Sequence, residues 1–133
     1  MKELIDLIKK ANYVFVCGNG GSASTAEHFT CDLLSKDIKA ICLNSNVSAI
    51  TMIGNDFGYE QIFSRQLRIL GTGNDLLITI SCSGTSPNIA RAQKVAEMIC
   101  MPVYSFPVFT VDKDYEKLED EHLQIVHQVK KLL

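Results

Sequence analysis

The feature that most restricts the fold is an apolar run, Tyr13, Val14, Phe15, Val16 and Cys17, broken at once by Gly18-Asn19-Gly20-Gly21-Ser22. A stretch without polar alternation, rich in β-branched and aromatic side chains, reads as a strand covered on both faces. Beyond the glycines, Ala26, Phe29 and Leu33 recur at helical spacing and predict a helix over residues 23–35. Strand, glycine loop and helix in that order open a parallel α/β unit.

The alternation continues along the chain. Leu4, Leu7, Ile8 and Ala11 predict an amphipathic helix over residues 2–11. Residues 40–44 and 76–81 read as the second and third strands, and residues 48–54 as a short helical piece. A helix over 59–70 is stopped by Gly71-Thr72-Gly73-Asn74, and Pro87 suits the first turn of another over 87–100. Residues 103–106 and 108–111 are both strand-like, yet only Pro107 parts them. Neighbouring parallel strands need a crossover of about a dozen residues, so these form one bent strand. Residues 113–133 form a long helix with an apolar stripe of Tyr115, Leu118, His122, Ile125, Val126, Val129, Leu132 and Leu133. Its place on that stripe makes His122 a packed core histidine. Glu119, Leu123 and His127 flank the stripe. The expected architecture is a three-layer α/β domain over residues 1–133, with a parallel sheet of about four strands between helices.

Composition narrows the function. The chain has 133 residues, 47% hydrophobic and 21% charged, which suits a globular domain and excludes a disordered tail. Thirteen basic and 15 acidic residues give a net charge of −2, without the basic footprint that nucleic-acid binding needs. The uncharged runs at 11–26 and 40–55 are interrupted by Gly, Asn and Ser, so no membrane span is expected. Five cysteines without a C-x-x-C pair read as reduced thiols, and an opening with charges at Lys2, Glu3, Asp6, Lys9 and Lys10 is no secretory signal. A cytoplasmic protein is expected.

Ligands of parallel sheets bind at the carboxyl ends of the strands. Two loops fall there, GNGGSAS at 18–24 and SCSGTS at 81–86. A loop running into a helix N-terminus offers unpaired N–H groups and a positive dipole end, which suit a phosphate. Ser22, Ser81, Ser83, Thr85 and Ser86 add hydroxyls, and neither loop carries Lys or Arg. Neutral donors of this kind fit a phosphate monoester better than a nucleotide held through lysine and magnesium. Gly18-x-Gly20-x-x-Ala23 formally fits a dinucleotide fingerprint, but Asn44 stands where that motif needs an acid.

GNGGSASTAEHF at 18–29, IGNDFGYEQIFSRQL at 53–67, LLITISCSGTSPNIARA at 76–92 and EDEHLQIVHQV at 119–129 together resemble the phosphoheptose isomerases of the SIS (sugar isomerase) fold. The resemblance implies a flavodoxin-like arrangement of the sheet. It also implies an aldose-ketose isomerase that converts sedoheptulose 7-phosphate into D-glycero-D-manno-heptose 7-phosphate, for the heptoses of lipopolysaccharide and capsule. Cytoplasmic homo-oligomers, dimer or tetramer, and a zinc ion are further implications. By position, Asn19, Gly20, Gly21 and Ser22 match the first substrate loop, Asn55 and Asp56 a sugar-contacting pair, and Ser81, Cys82, Ser83 and Ser86 the phosphate cradle. Cys82 replaces a common Thr. His28, Asp32, Glu119 and His127 are the implied zinc ligands, with Asp32 and His127 as the catalytic pair and Glu119 also at the substrate.

The chain departs from the family in its chemistry. Asp32 stands for a glutamate, which withdraws the base by one methylene, and Glu119 stands for a glutamine and would return that carboxylate. His28 and Asp32 lie almost opposite the sheet-facing side of their helix, so they are expected to face water or another subunit. Family members also have a longer helical lead-in and a further strand-loop-helix stretch before the last helix. A second function class is open: a non-catalytic SIS-type regulator that binds a phosphosugar or a protein partner.

Overall fold

The computed structural model describes residues 1–108 and 114–133. Four strands, β1 (Val14–Gly18), β2 (Ala40–Cys42), β3 (Leu76–Ile80) and β4 (Val103–Ser105), form one parallel sheet in the order β2-β1-β3-β4. Both central strands are buried along their whole length, as the unalternated runs predict. Six α-helices cover the sheet: α1 (Lys2–Lys10), α2 (Gly21–Leu34), α3 (Val47–Phe57), α4 (Ser64–Leu70), α5 (Pro87–Met98) and α6 (Tyr115–Leu132).

Strand residues alternate between two cores. Val14 and Val16 join Leu4, Ile5 and Ile8 of α1, Ala26, Phe29 and Leu33 of α2, and Val126 and Val129 of α6. Phe15 and Cys17 join Ile53 of α3, Leu67 of α4, and Ile89, Ala92 and Ala96 of α5. The three-layer parallel architecture expected from the sequence is the one observed. Each large apolar side chain so buried contributes about 1.5–3 kcal/mol. Asp75 fixes the entry to the sheet: its carboxylate accepts from Tyr13 N at 2.9 Å, Thr72 N at 2.7 Å and Thr72 Oγ1 at 2.8 Å.

Three local expectations need correction. The segment 59–70 is not one helix but a 3-10 turn at Tyr59–Gln61 followed by α4. The helical piece expected to end near Gly54 runs on to Phe57, which places Asn55 and Asp56 in its last turn. β4 stops at Ser105, and neither Phe106 nor Val108 is in a strand. Pro107 has no N–H to continue a ladder; the remainder of the expected bent strand, residues 109–111, lies outside the described residues. On α6, Leu118, His122, Val126 and Val129 are buried, while Tyr115 and Leu132 are exposed. The His122 ring meets Phe106 edge-on at 5.4 Å, with Nε2 2.9 Å from Pro107 O. Among the described residues no helix is long and apolar enough to cross a membrane.

Candidate active site

β1 and β3 are adjacent, yet α2 and α5 leave them for opposite faces of the sheet. The two loops therefore diverge and open a crevice at the topological switch point. In the first loop Gly20 has φ 59, a conformation glycine adopts without strain. Ser22 N donates to Asn19 O and Ala23 N to Gly20 O, so the N–H groups of Gly20 and Gly21 precede the first bonded turn of α2.

The second loop folds on its own hydroxyls. Gly84 N donates to Ser81 Oγ at 3.1 Å and Thr85 N to Ser83 Oγ at 3.2 Å, while Ser83 Oγ lies 3.4 Å from Ser81 Oγ and 3.3 Å from Ser86 Oγ. Across the crevice, Ser22 Oγ is 3.7 Å from Cys82 Sγ. Burial pushes the Cys82 thiol up, the Ser22 contact opposes this, and the Glu119 charge adds to it. Cys82 thus stays a neutral, weak donor.

These groups line a cleft of about 170 Å³, with Asn19, Ser22, Ser81, Cys82, Ser83 and Ser86 from the loops and Tyr115 and Glu119 from α6. Pockets for whole drug-sized ligands run to roughly 300–1,000 Å³, so this one has room for a headgroup and not for a whole ligand. A wider trough of about 710 Å³ beside β2 has no carboxylate, imidazole or basic side chain in its lining.

A second cluster forms where α2 packs on α6. His28, Asp32 and His127 bring their ligand atoms within 4.8 Å of one another. His28 Nε2 lies 3.4 Å from Asp32 Oδ2 and 3.3 Å from His127 Nε2. Because His28 uses the same nitrogen toward both neighbours, the ring cannot pass a proton from one to the other. Three lone-pair atoms instead converge on one small volume, the arrangement that suits a cation. Asp32 is 5% exposed, and among the described residues its Oδ2 has no hydrogen-bond partner. The other oxygen, Oδ1, accepts from Lys130 Nζ at 2.5 Å. His28 is exposed as expected, but Asp32 faces neither water nor another subunit: α6 of its own chain covers it.

The SIS domain family model matches residues 2–106. Phosphoheptose isomerases of Helicobacter pylori and Campylobacter jejuni are 35% and 36% identical to this chain, each over 93% of it, and the matches cover 75% and 77% of those proteins. This chain belongs to the phosphoheptose isomerase family. The solved phosphoheptose isomerase of Neisseria gonorrhoeae superimposes with a TM-score of 0.87 at 29% identity, covering 98% of this chain and 80% of that one. A phosphoheptose isomerase from Francisella tularensis gives 0.85, at the same identity and coverage.

Within this phosphoheptose isomerase, the residues predicted from sequence fall into three groups. Asn19, Ser22, Ser81, Cys82, Ser83, Ser86 and Glu119 share the cleft, with Gly20 and Gly21 at its lip. His28, Asp32 and His127 share the cluster, and Glu119 is not in it. A Cβ on Gly21 would land on the Glu119 carboxylate, so Glu119 rests against the start of α2 and does not stand in for the retracted base. Asn55 and Asp56 are exposed on α3, Asn55 Nδ2 donating to Asp56 Oδ1 at 2.8 Å, and neither lines the cleft.

Three contributors went unread in the sequence. Asn88 is 2% exposed and exchanges hydrogen bonds with Asn19 across the crevice. Asn44 holds the end of β1 from both sides, accepting from Gly18 N at 3.2 Å and donating to Gly18 O at 2.7 Å. Lys130 pairs with Asp32. Only Asn88 left a signal, its place in the turn after Pro87.

Proposed function

We propose that this chain interconverts sedoheptulose 7-phosphate and D-glycero-D-manno-heptose 7-phosphate through an enediol. The observation that carries the reading is the pairing of a cleft whose donors are neutral N–H and hydroxyl groups, at the start of α2, with a carboxylate-imidazole cluster further along the same helix. From Ser22 to His28 the axis rises about 9 Å, at 1.5 Å per residue. A phosphate at one end of a seven-carbon chain puts the reacting carbons at the other end, comparably far away.

The phosphate is held by the Asn19–Ser22 and Ser81–Ser86 loops through N–H and hydroxyl donors. Moving a proton between adjacent carbons needs one base over the carbons and an acid at their oxygens. We assign the first to Asp32 and the second to His127. In the metal-free protein Lys130 occupies Asp32 Oδ1, so Oδ2 is there the oxygen left to take the proton. His28, whose side chain is 48% exposed, must swing aside to admit a carbon-bound hydrogen.

The N₂O donor set of His28, Asp32 and His127, with one buried carboxylate oxygen unpartnered, fits zinc. A zinc ion bound there supplies Lewis-acid polarisation of the substrate oxygens. Exposed apolar side chains on α3 and α4, Val47, Met52, Phe57, Ile69 and Leu70, support assembly as a dimer or tetramer, in which Asn55 and Asp56 meet the sugar across an interface. The expected setting is the cytoplasm, in the supply of heptoses for lipopolysaccharide.

Incubation with sedoheptulose 7-phosphate, followed by NMR for the aldose, tests the reading with and without zinc. Asp32→Asn and His127→Asn are expected to lower turnover by about 10²–10⁴-fold. Absence of conversion at high enzyme concentration overturns it.

A further inference from the structure

Among the described residues Lys130 is the one cation that touches the cluster, and its position has a chemical consequence. Asp32 is nearly inaccessible, and burying a carboxylate is costly unless it has a partner. Its pair is Lys130, three residues beyond His127 and so on the same face of α6, with Nζ 2.5 Å from Oδ1. The unpartnered Oδ2 points instead toward His28 and His127. A divalent ion among those three atoms would share a single carboxylate with an ammonium group, and the two positive charges repel at close range in a poorly screened setting. The lysine side chain is 42% exposed, so it has a way out to solvent.

We propose that Lys130 is a built-in counter-cation: it neutralises Asp32 in the metal-free protein, is displaced when a divalent ion enters, and thereby sets the affinity for zinc. The exchange breaks the Nζ–H···Oδ1 bond and makes metal-oxygen and metal-nitrogen bonds, with the ammonium rehydrated at the surface. This inference rests on the metal part of the reading above and is independent of turnover.

Lys130→Met keeps the aliphatic stem and removes the charge. Competition with a chromophoric chelator should show zinc bound on the order of 10- to 100-fold more tightly than by the unaltered protein, the range by which groups contacting a ligand move metal affinity. Equal or weaker binding by a variant whose circular dichroism is unchanged overturns the proposal. The unaltered protein offers a second readout in case the variant does not fold. Acylation of lysines followed by mass spectrometry should find Lys130 several-fold more reactive at saturating zinc, with Lys36 and Lys131 unchanged. An unmoved Lys130 overturns it equally. If neither protein takes zinc, the donor set and the lysine role fall together; if both bind it equally, the lysine role falls alone.

Discussion

Asn19 and Asn88 clasp each other across the switch point, each carboxamide donating to the other at 2.8 Å. Tyr59 Oη adds a hydrogen bond to Asn19 Oδ1 at 3.3 Å. One residue belongs to the loop after β1 and the other to the first turn of α5, so the clasp sets the width of the cleft. Asn88→Ala leaves the half-buried Asn19 carboxamide short of a partner and should cost about 0.5–1.5 kcal/mol of stability. In activity it should raise KM for the phosphosugar by about tenfold while moving kcat less, because the headgroup position is what loosens. Steady-state kinetics with a urea melt check both, and an unchanged KM refutes the clasp.

Glu119 places a carboxylate inside a cleft otherwise built of neutral donors. A second anion there is opposed by at least about 1 kcal/mol, the value for two unit charges 4 Å apart in water. Glu119→Gln should therefore tighten binding of inorganic phosphate about fivefold or more at low salt, with the gain shrinking as salt rises. Calorimetry at two ionic strengths measures it; weaker binding by the variant would show that the carboxylate helps the site.

Cys17 gives stability a pH dependence. It is completely buried in β1, and burial, then the nearby Cys42, pushes its thiol up. The folded state thus keeps a proton that the unfolded chain releases above about pH 8.5. The contribution is fully present below that pH and is lost as pH rises above it, at up to about 1.4 kcal/mol per pH unit. Urea melts between pH 7.5 and 10 should fall more steeply for the natural chain than for Cys17→Ala. Parallel slopes would contradict this.

Asp75 ties the start of β1 to the turn before β3 through three charge-assisted hydrogen bonds, and it is 3% exposed. Asp75→Asn turns one acceptor oxygen into a donor that faces N–H or O–H groups. A loss of about 1.5–3 kcal/mol is expected in denaturant unfolding, with the midpoint moved and the slope unchanged.

The sheet was legible because its central strands are unbroken apolar runs, and a strand buried on both faces can hardly be written another way. Helix boundaries were less so. Glycine at 21 reads as a loop residue, yet it is the first residue of α2, and Gly54 reads as a stop although α3 continues to Phe57. The two loops that line the cleft could be located from residue type, since glycines and hydroxyls mark the turns that lead from strand to helix. The cluster was half legible: His28 and Asp32 share a helix face at one-turn spacing, but the covering of Asp32 depends on α6 lying over it, which no local pattern reports. Lys130 and the direction of Glu119 depend on that same docking, so the sequence alone assigned Glu119 to both the cleft and the cluster, whereas it lines the cleft.

The outer strands of the sheet, β2 and β4, are three residues each, against five for the inner two. Such short margins offer a neighbouring molecule almost no free ladder to extend. Edge-to-edge pairing of sheets from separate copies, the route to strand-built aggregates, is thereby disfavoured.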